Sequence, residues 1–262
     1  MIKAISNLGS YAIEGIEQIG RTFNLLLIIA WKMLLPPYQL FPIIKQIYFI
    51  GARSLTVIII SGATIGMVLG LQFYNTLERF GSIGVLGSAV ALSIIRELGP
   101  VMTALMVVGR AGSAICAELG IMRISEQIDA LECMAIPPDK YLVAPKLIAG
   151  ILSVPLLNCV FNVVAIGGGY FVGVVMFGVA EGSYVNGMID SVVWSDVRLG
   201  LVKSIIFGML ITLICCAKGF YLHLSQYGSQ GAEGVSRATT DAVVVSSVSV
   251  LFFDFLIGAL MS

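Results

Sequence analysis

From the first residue, apolar positions recur in steps of three to five. They are Ile2, Ile5, Leu8, Ile13, Ile16, Ile19, Phe23 and Leu27, with Lys3, Glu14, Glu17 and Arg21 on other faces. That spacing predicts an amphipathic helix lying in a membrane interface. The run 23–35 is too short to cross and contains Lys32, and Pro36, Pro37 and Pro42 then break the helix. After about residue 50 the pattern changes to long apolar runs. A crossing helix needs about 20 mostly apolar residues at a rise of about 1.5 Å each. Five segments meet this, near 54–74, from 86 to beyond 108, 147–175, 199–220 and 240–261. The predicted fold is an all-α integral membrane protein, with about five transmembrane helices preceded by an N-terminal amphipathic interfacial helix. Residues 1–50 form the interfacial and elbow helices, and 51–262 form the transmembrane domain.

Composition supports this class. Of 262 residues, 11% are charged and 58% hydrophobic, against roughly 25% and about 45–50% in soluble domains. Mean hydropathy is +0.99. A disulfide scaffold, a disordered linker and an ordinary soluble enzyme are excluded. Fifteen basic residues balance fifteen acidic ones, and no basic stretch suggests nucleic-acid binding. The first 20 residues do not read as a cleavable signal. The five cysteines lack C-x-x-C spacing and there is one His, so they read as packing residues rather than metal ligands.

Charge in the connections sets a direction. With the N-terminus inside, Lys3, Arg21, Lys32, Lys45 and Arg53 are cytoplasmic. The connection after the second span adds Arg110, Arg123, Lys140 and Lys146, and the one after the fourth adds Lys218 and Arg237. Only Arg79 and Arg198 fall outside, which predicts a cytoplasmic N-terminus and a C-terminus on the opposite side.

Several features carry candidate chemistry. Gly62, Gly66 and Gly70 place a small residue every fourth position, a stripe suited either to contact between protomers or to packing within one bundle. Arg96, Glu97, Lys203 and Asp254 lie inside predicted spans. Charges there cost about 2.5–3.5 kcal/mol each and face partners or a wet cavity. Their formal sum is zero, which permits two compensating pairs in the outer half of the bilayer, binding a headgroup or ion or bracing helices. Pro100 frees the Arg96 carbonyl, and Asn158 and Asn162 share a helix face. Between 125 and 137, Ser125 reads as an N-cap, Ile128, Leu131 and Met134 as an apolar stripe, Glu126, Asp129 and Glu132 as the opposite face, and Pro137 as the stop. A short acidic amphipathic helix of this kind suits a groove on a soluble protein. No phosphate-cradling G-x-x-x-x-G-K-[ST], no G-x-S-x-G and no H-E-x-x-H occurs. The chain therefore reads as non-catalytic. Without an internal repeat and with an odd number of spans, a transport pathway fits best between two copies.

The ordered run RELGP, GRAGSA, AELG, EQIDAL and a Pro-x-x-Tyr-Leu element over 96–150 resembles the MlaE family of ABC-transporter permeases. The likeness continues through SVPLL at 153–157 and GVSRATTDAVVVSSVSVLFFDFLI at 234–257, covering most of the chain beyond residue 50. The resemblance implies a homodimeric permease in the inner membrane of a Gram-negative bacterium, moving phospholipids between inner and outer membranes to maintain outer-membrane lipid asymmetry. It implies a cytoplasmic ATPase that holds ATP and Mg, a periplasmic MCE-domain protein and a STAS-domain protein, with no cofactor in this chain. It also implies that 125–137 is an ATPase-coupling helix, and that Arg96, Glu97, Lys203 and Asp254 line or brace a lipid cavity. Two other readings compete: an ion-coupled secondary transporter using the same charges, and a membrane scaffold for soluble subunits.

Overall fold

The computed structural model describes residues 17, 18, 20–29, 40–224 and 231–261. Most of the predicted N-terminal interfacial helix, including 1–16 and 30–39, lies outside the described residues. Its described part, α1 (Gly20–Ile29), is a short apolar helix that buries Leu25 and Ile29 while Phe23 and Leu27, expected on the apolar stripe, are exposed. Just before α1, Gln18 accepts a hydrogen bond from Lys218 Nζ at 2.6 Å.

The rest is helical, with no strand among the described residues. Helices α2 (Leu40–Ile50) and α3 (Leu55–Arg79) meet at a short 3-10 turn and form the first long apolar segment. Next come α4 (Ile83–Ile124), the short α5 (Gln127–Cys133) and α6 (Asp139–Met176). Helix α7 (Glu181–Ser191) precedes α8 (Trp194–Phe220) and α9 (Gly231–Met261). Among the described residues five segments are long and apolar enough to cross a membrane, as the hydropathy pattern predicts.

The helices run well past the apolar windows. Helix α6 starts at Asp139 rather than near 147, and α4 continues to Ile124. Arg110 is therefore inside a helix, not in a connection, and the linking segment is shorter than the hydropathy pattern suggests. Hydropathy marks where hydrocarbon would begin, whereas backbone hydrogen bonding continues into polar residues until a stop signal. Two π-helical turns lie just before prolines, Ile94–Leu98 ahead of Pro100 and Asp139–Val143 ahead of Pro145. A widened turn accommodates the missing N–H without ending the helix.

Contacts between helices rest on small residues. On α3, Gly62 faces Phe161, Gly66 lies against the Ala165 carbonyl and Gly70 against Gly169, all on α6. The glycine stripe is thus buried inside the bundle, which removes its alternative reading as a contact between protomers. Helices α6 and α8 approach at Gly150 and Gly208, and α8 meets α4 at Gly200 and Gly219. Close backbone approach supplies the van der Waals contact that lipid tails would otherwise make.

Candidate functional site

At one end of the bundle, α4, α8 and α9 bring three ionisable groups together. Lys203 on α8 is fully buried, and its Nζ donates to Glu97 Oε2 on α4 at 2.5 Å. The same nitrogen lies 2.9 Å from Asp254 Oδ1 on α9. One ammonium therefore serves two carboxyl groups, and the formal charges of the cluster sum to minus one. Removing an ammonium that holds two carboxylates would leave uncompensated charge in a low-dielectric setting. Burial is uneven: the Glu97 side chain is 52% exposed and Asp254 20%. Glu97 is thus the face this cluster presents outward.

Arg96 is not part of that cluster. Its Nε lies 3.7 Å from Asp196 Oδ1, and its side chain is 41% exposed. Asp196 Oδ2 also accepts the Val193 N–H at 3.1 Å, capping the start of α8. The expectation of two compensating pairs among four residues is corrected to a triad plus a separate pair with a fifth residue. Adjacent helix positions point about 100° apart, so Arg96 and Glu97 face different neighbours. Nearby, the Oδ1 atoms of Asn158 and Asn162 on α6 are buried without a hydrogen-bond partner among the described residues, and both lie against Gly99 on α4.

The other end of the bundle carries α5. Ser125 does not cap it. Ser125 ends α4, and its Oγ donates to the Ile121 carbonyl at 2.8 Å. The residue before α5 is Glu126, in the left-handed region at φ 58°, and Ala135 after it is at φ 57°. Two non-glycine residues held there cost of order 1–3 kcal/mol each and keep the helix tightly bracketed. The helix is shorter than 125–137 for this reason. Ile128 is fully buried and anchors it, Leu131 is half-buried, and Met134 is 62% exposed. Glu126, Asp129 and Glu132 are exposed, as is Pro137.

Arg123 ties this helix to the bundle. It pairs with Asp129 at 2.6 Å, donates from Nε to the Phe220 carbonyl at 3.1 Å, and lies over the Phe220 ring at 5.0 Å. Phe220 ends α8, the helix that carries Lys203 at the far end. A second arginine, Arg110, donates to Ser54 Oγ at 3.0 Å and to the Phe49 carbonyl at 3.3 Å, clasping the joint between α2 and α3.

The family model described as Permease MlaE matches residues 43–260. The chain belongs to the MlaE permease family. It is 41% identical, over the whole chain and 98% of the relative, to the intermembrane phospholipid transport system permease protein MlaE of Haemophilus influenzae. It is 38% identical to a probable ABC transporter permease protein of Rickettsia bellii, over 99% of this chain and 98% of the relative. The chloroplastic protein Trigalactosyldiacylglycerol 1 of Arabidopsis thaliana is 33% identical across 82% of the chain and 60% of its own length. The chain is thus a multi-pass ABC-transporter permease of the MlaE type, and the ion-coupled alternative gives way to that membership.

Within this MlaE-type permease, sequence reasoning found the residues of the charged triad but missed Asp196, Arg123 and Arg110 as partners. Asp196 had a signal, since it stands three residues after Val193 at the start of an apolar run, where a capping carboxylate belongs. The two arginines carried none beyond their charge, because the contacts that tie them to the bundle, Phe220 for Arg123 and Phe49 with Ser54 for Arg110, lie far away in sequence.

Proposed function

We propose that the chain is the membrane subunit of an ATP-driven transporter that moves phospholipids between the inner and outer membranes of a Gram-negative bacterium. In this reading it sits in the inner membrane with its N-terminus cytoplasmic and its C-terminus periplasmic, and it helps maintain outer-membrane lipid asymmetry. Two copies enclose the pathway. Only 17% of the apolar window of α9 is buried within one chain, which leaves it a broad apolar face for lipid and for the second copy. A cytoplasmic ATPase holding ATP and Mg engages α5, an MCE-domain protein stands on the periplasmic side, and a STAS-domain protein joins the ATPase.

The observation that carries the reading is the half-exposed Glu97 of the Lys203–Glu97–Asp254 triad, close in sequence to the half-exposed Arg96. A guanidinium suits a lipid phosphate, and a carboxylate in excess of its ammonium partner suits a headgroup amine. Coupling follows from covalent and hydrogen-bonded continuity. A push on α5 reaches Arg123 through Asp129, reaches the end of α8 through the Phe220 carbonyl, and moves Lys203 at the other end of the same rigid helix. This chain supplies no catalytic group. It binds lipid and transmits movement.

Charge reversal tests this. Glu97→Lys is expected to abolish phospholipid transfer between membranes while the purified complex keeps its subunits, and the Glu97→Lys/Lys203→Glu exchange is expected to restore part of it. Loss of assembly without a separate transport defect would reduce the triad to a brace.

A further inference from the structure

A groove of about 290 Å³ opens at the α5 end of the bundle, between α2, the end of α4 and the start of α6, remote from the triad. Its lining is amphipathic. Phe41 and Tyr141 present exposed aromatic surface, and Lys45 is exposed beside them. Deeper in, Lys146 is buried and bound to Glu118 Oε2 at 2.6 Å, so its charge is answered within the chain. Among the described residues Lys45 has no carboxylate within ion-pair distance. Gln46 lines the same groove, and its enclosed Oε1 has no hydrogen-bond partner among the described residues. The groove thus offers one unanswered cation, one unanswered acceptor, and an apolar wall.

We propose that this groove is a second phospholipid site, which seats the phosphate of a cytoplasmic-leaflet lipid on Lys45 and turns a headgroup N–H or O–H donor toward Gln46 Oε1. The assignment of the leaflet rests on the orientation given above. Depth selects a lipid over a soluble anion. The Glu118–Lys146 pair lies one helical turn beyond Gly150, where α6 packs on Thr212, so the groove sits where the apolar bundle gives way to charge. Aromatic rings beside a lysine at that level are the usual furniture of a headgroup belt. A free phosphate would leave Phe41 and Tyr141 without a partner, whereas acyl chains cover them. The site would hold lipid at the rim of the permease on the leaflet opposite to the triad.

The test uses the full chain in its assembled complex, reconstituted in phosphatidylethanolamine and phosphatidylglycerol vesicles with a trace of phosphatidylethanolamine bearing a diazirine near the headgroup. Photolabelled peptides are read by mass spectrometry. Labelling is expected on peptides spanning 40–48 and 139–146. Lys45→Glu, at an exposed position, is expected to lower it about five-fold, the size expected of one lysine against a lipid headgroup. Gln46→Leu is expected to lower it as well, and labelling near Glu97 stays unchanged in both variants. Equal labelling of the groove by a diacylglycerol probe without phosphate would overturn the proposal in favour of unspecific annular lipid. So would labelling indifferent to both variants, or cross-linking of Tyr141 to the chain's own 30–39 segment in place of lipid. Groove labelling that persists in complexes unable to transfer lipid would retain the site while removing the transport function.

Discussion

Single glycines decide whether these helices can touch. The run Gly167, Gly168 and Gly169 on α6 shows how finely. A Cβ at Gly168 would stand 2.6 Å from the Ala63 carbonyl, whereas a Cβ at Gly167 would meet nothing within 4 Å. Gly168→Ala is therefore expected to destabilise the bundle by about 1–3 kcal/mol, the range for overpacking. Gly167→Ala is expected to be neutral or slightly stabilising, because alanine restricts the unfolded chain. Thermal unfolding in detergent, compared between these neighbours, checks both. The charged residues show the same division. Arg96, Glu97, Lys203 and Asp254 were legible as intramembrane charges because few others interrupt apolar runs. Their pairing was not, since Glu97 and Lys203 meet only when α4 and α8 pack at Gly200 against the Ile95 carbonyl.

Among the elements, α5 combines an anchored side with a free one. Ile128 is buried against the bundle while Met134 stands clear of it. Leu131→Asp with Met134→Asp is expected to leave folding intact and to abolish stimulation of ATP hydrolysis by lipid. Ile128→Asp is expected to lower stability by several kcal/mol through an unpaired buried charge. Comparing ATPase rates and thermal midpoints of the two variants separates coupling from folding. The neighbouring turn Leu222–Leu224 adds a pH dependence. Partial desolvation, reinforced by the charge of Arg123, holds the imidazole of the solvent-exposed His223 below its ordinary value of 6.5. The folded protein thus favours the neutral ring. The stability this contributes is complete above pH 6.5 and is lost as pH falls through the lowered value, because the unfolded chain takes up the proton first. The thermal midpoint of the wild type is expected to fall more steeply between pH 7 and 5.5 than that of His223→Gln.

For the whole molecule, the proposed orientation rests on the distribution of lysine and arginine, and the fold supplies a natural probe of it. Cys133 at the end of α5 is exposed, Cys159 is exposed in the middle of the apolar helix α6, where a polar reagent does not reach it in a membrane, and Cys116, Cys215 and Cys216 are buried. In membranes stripped of soluble subunits, an impermeant maleimide is expected to label Cys133 in inverted vesicles and not in intact spheroplasts. Labelling from the outer face would reverse the proposed topology and move the triad to the cytoplasmic leaflet.

The number of long apolar helices and the shortlist of charges within them were both determined along the chain itself. Each depends on local quantities: apolar run length, helical period and the cost of charge in hydrocarbon. The family motifs are equally local, being short strings in a fixed order. The ends of α4 and α6, the strained bracketing of α5, the inward turn of the Gly62, Gly66 and Gly70 stripe, and the clasps made by Arg96, Arg110 and Arg123 depended on tertiary structure. A glycine stripe fits any close neighbour, and an arginine accepts any carbonyl or carboxylate within reach. Which neighbour arrives is set by how the helices cross, and that is a property of the bundle rather than of any one segment.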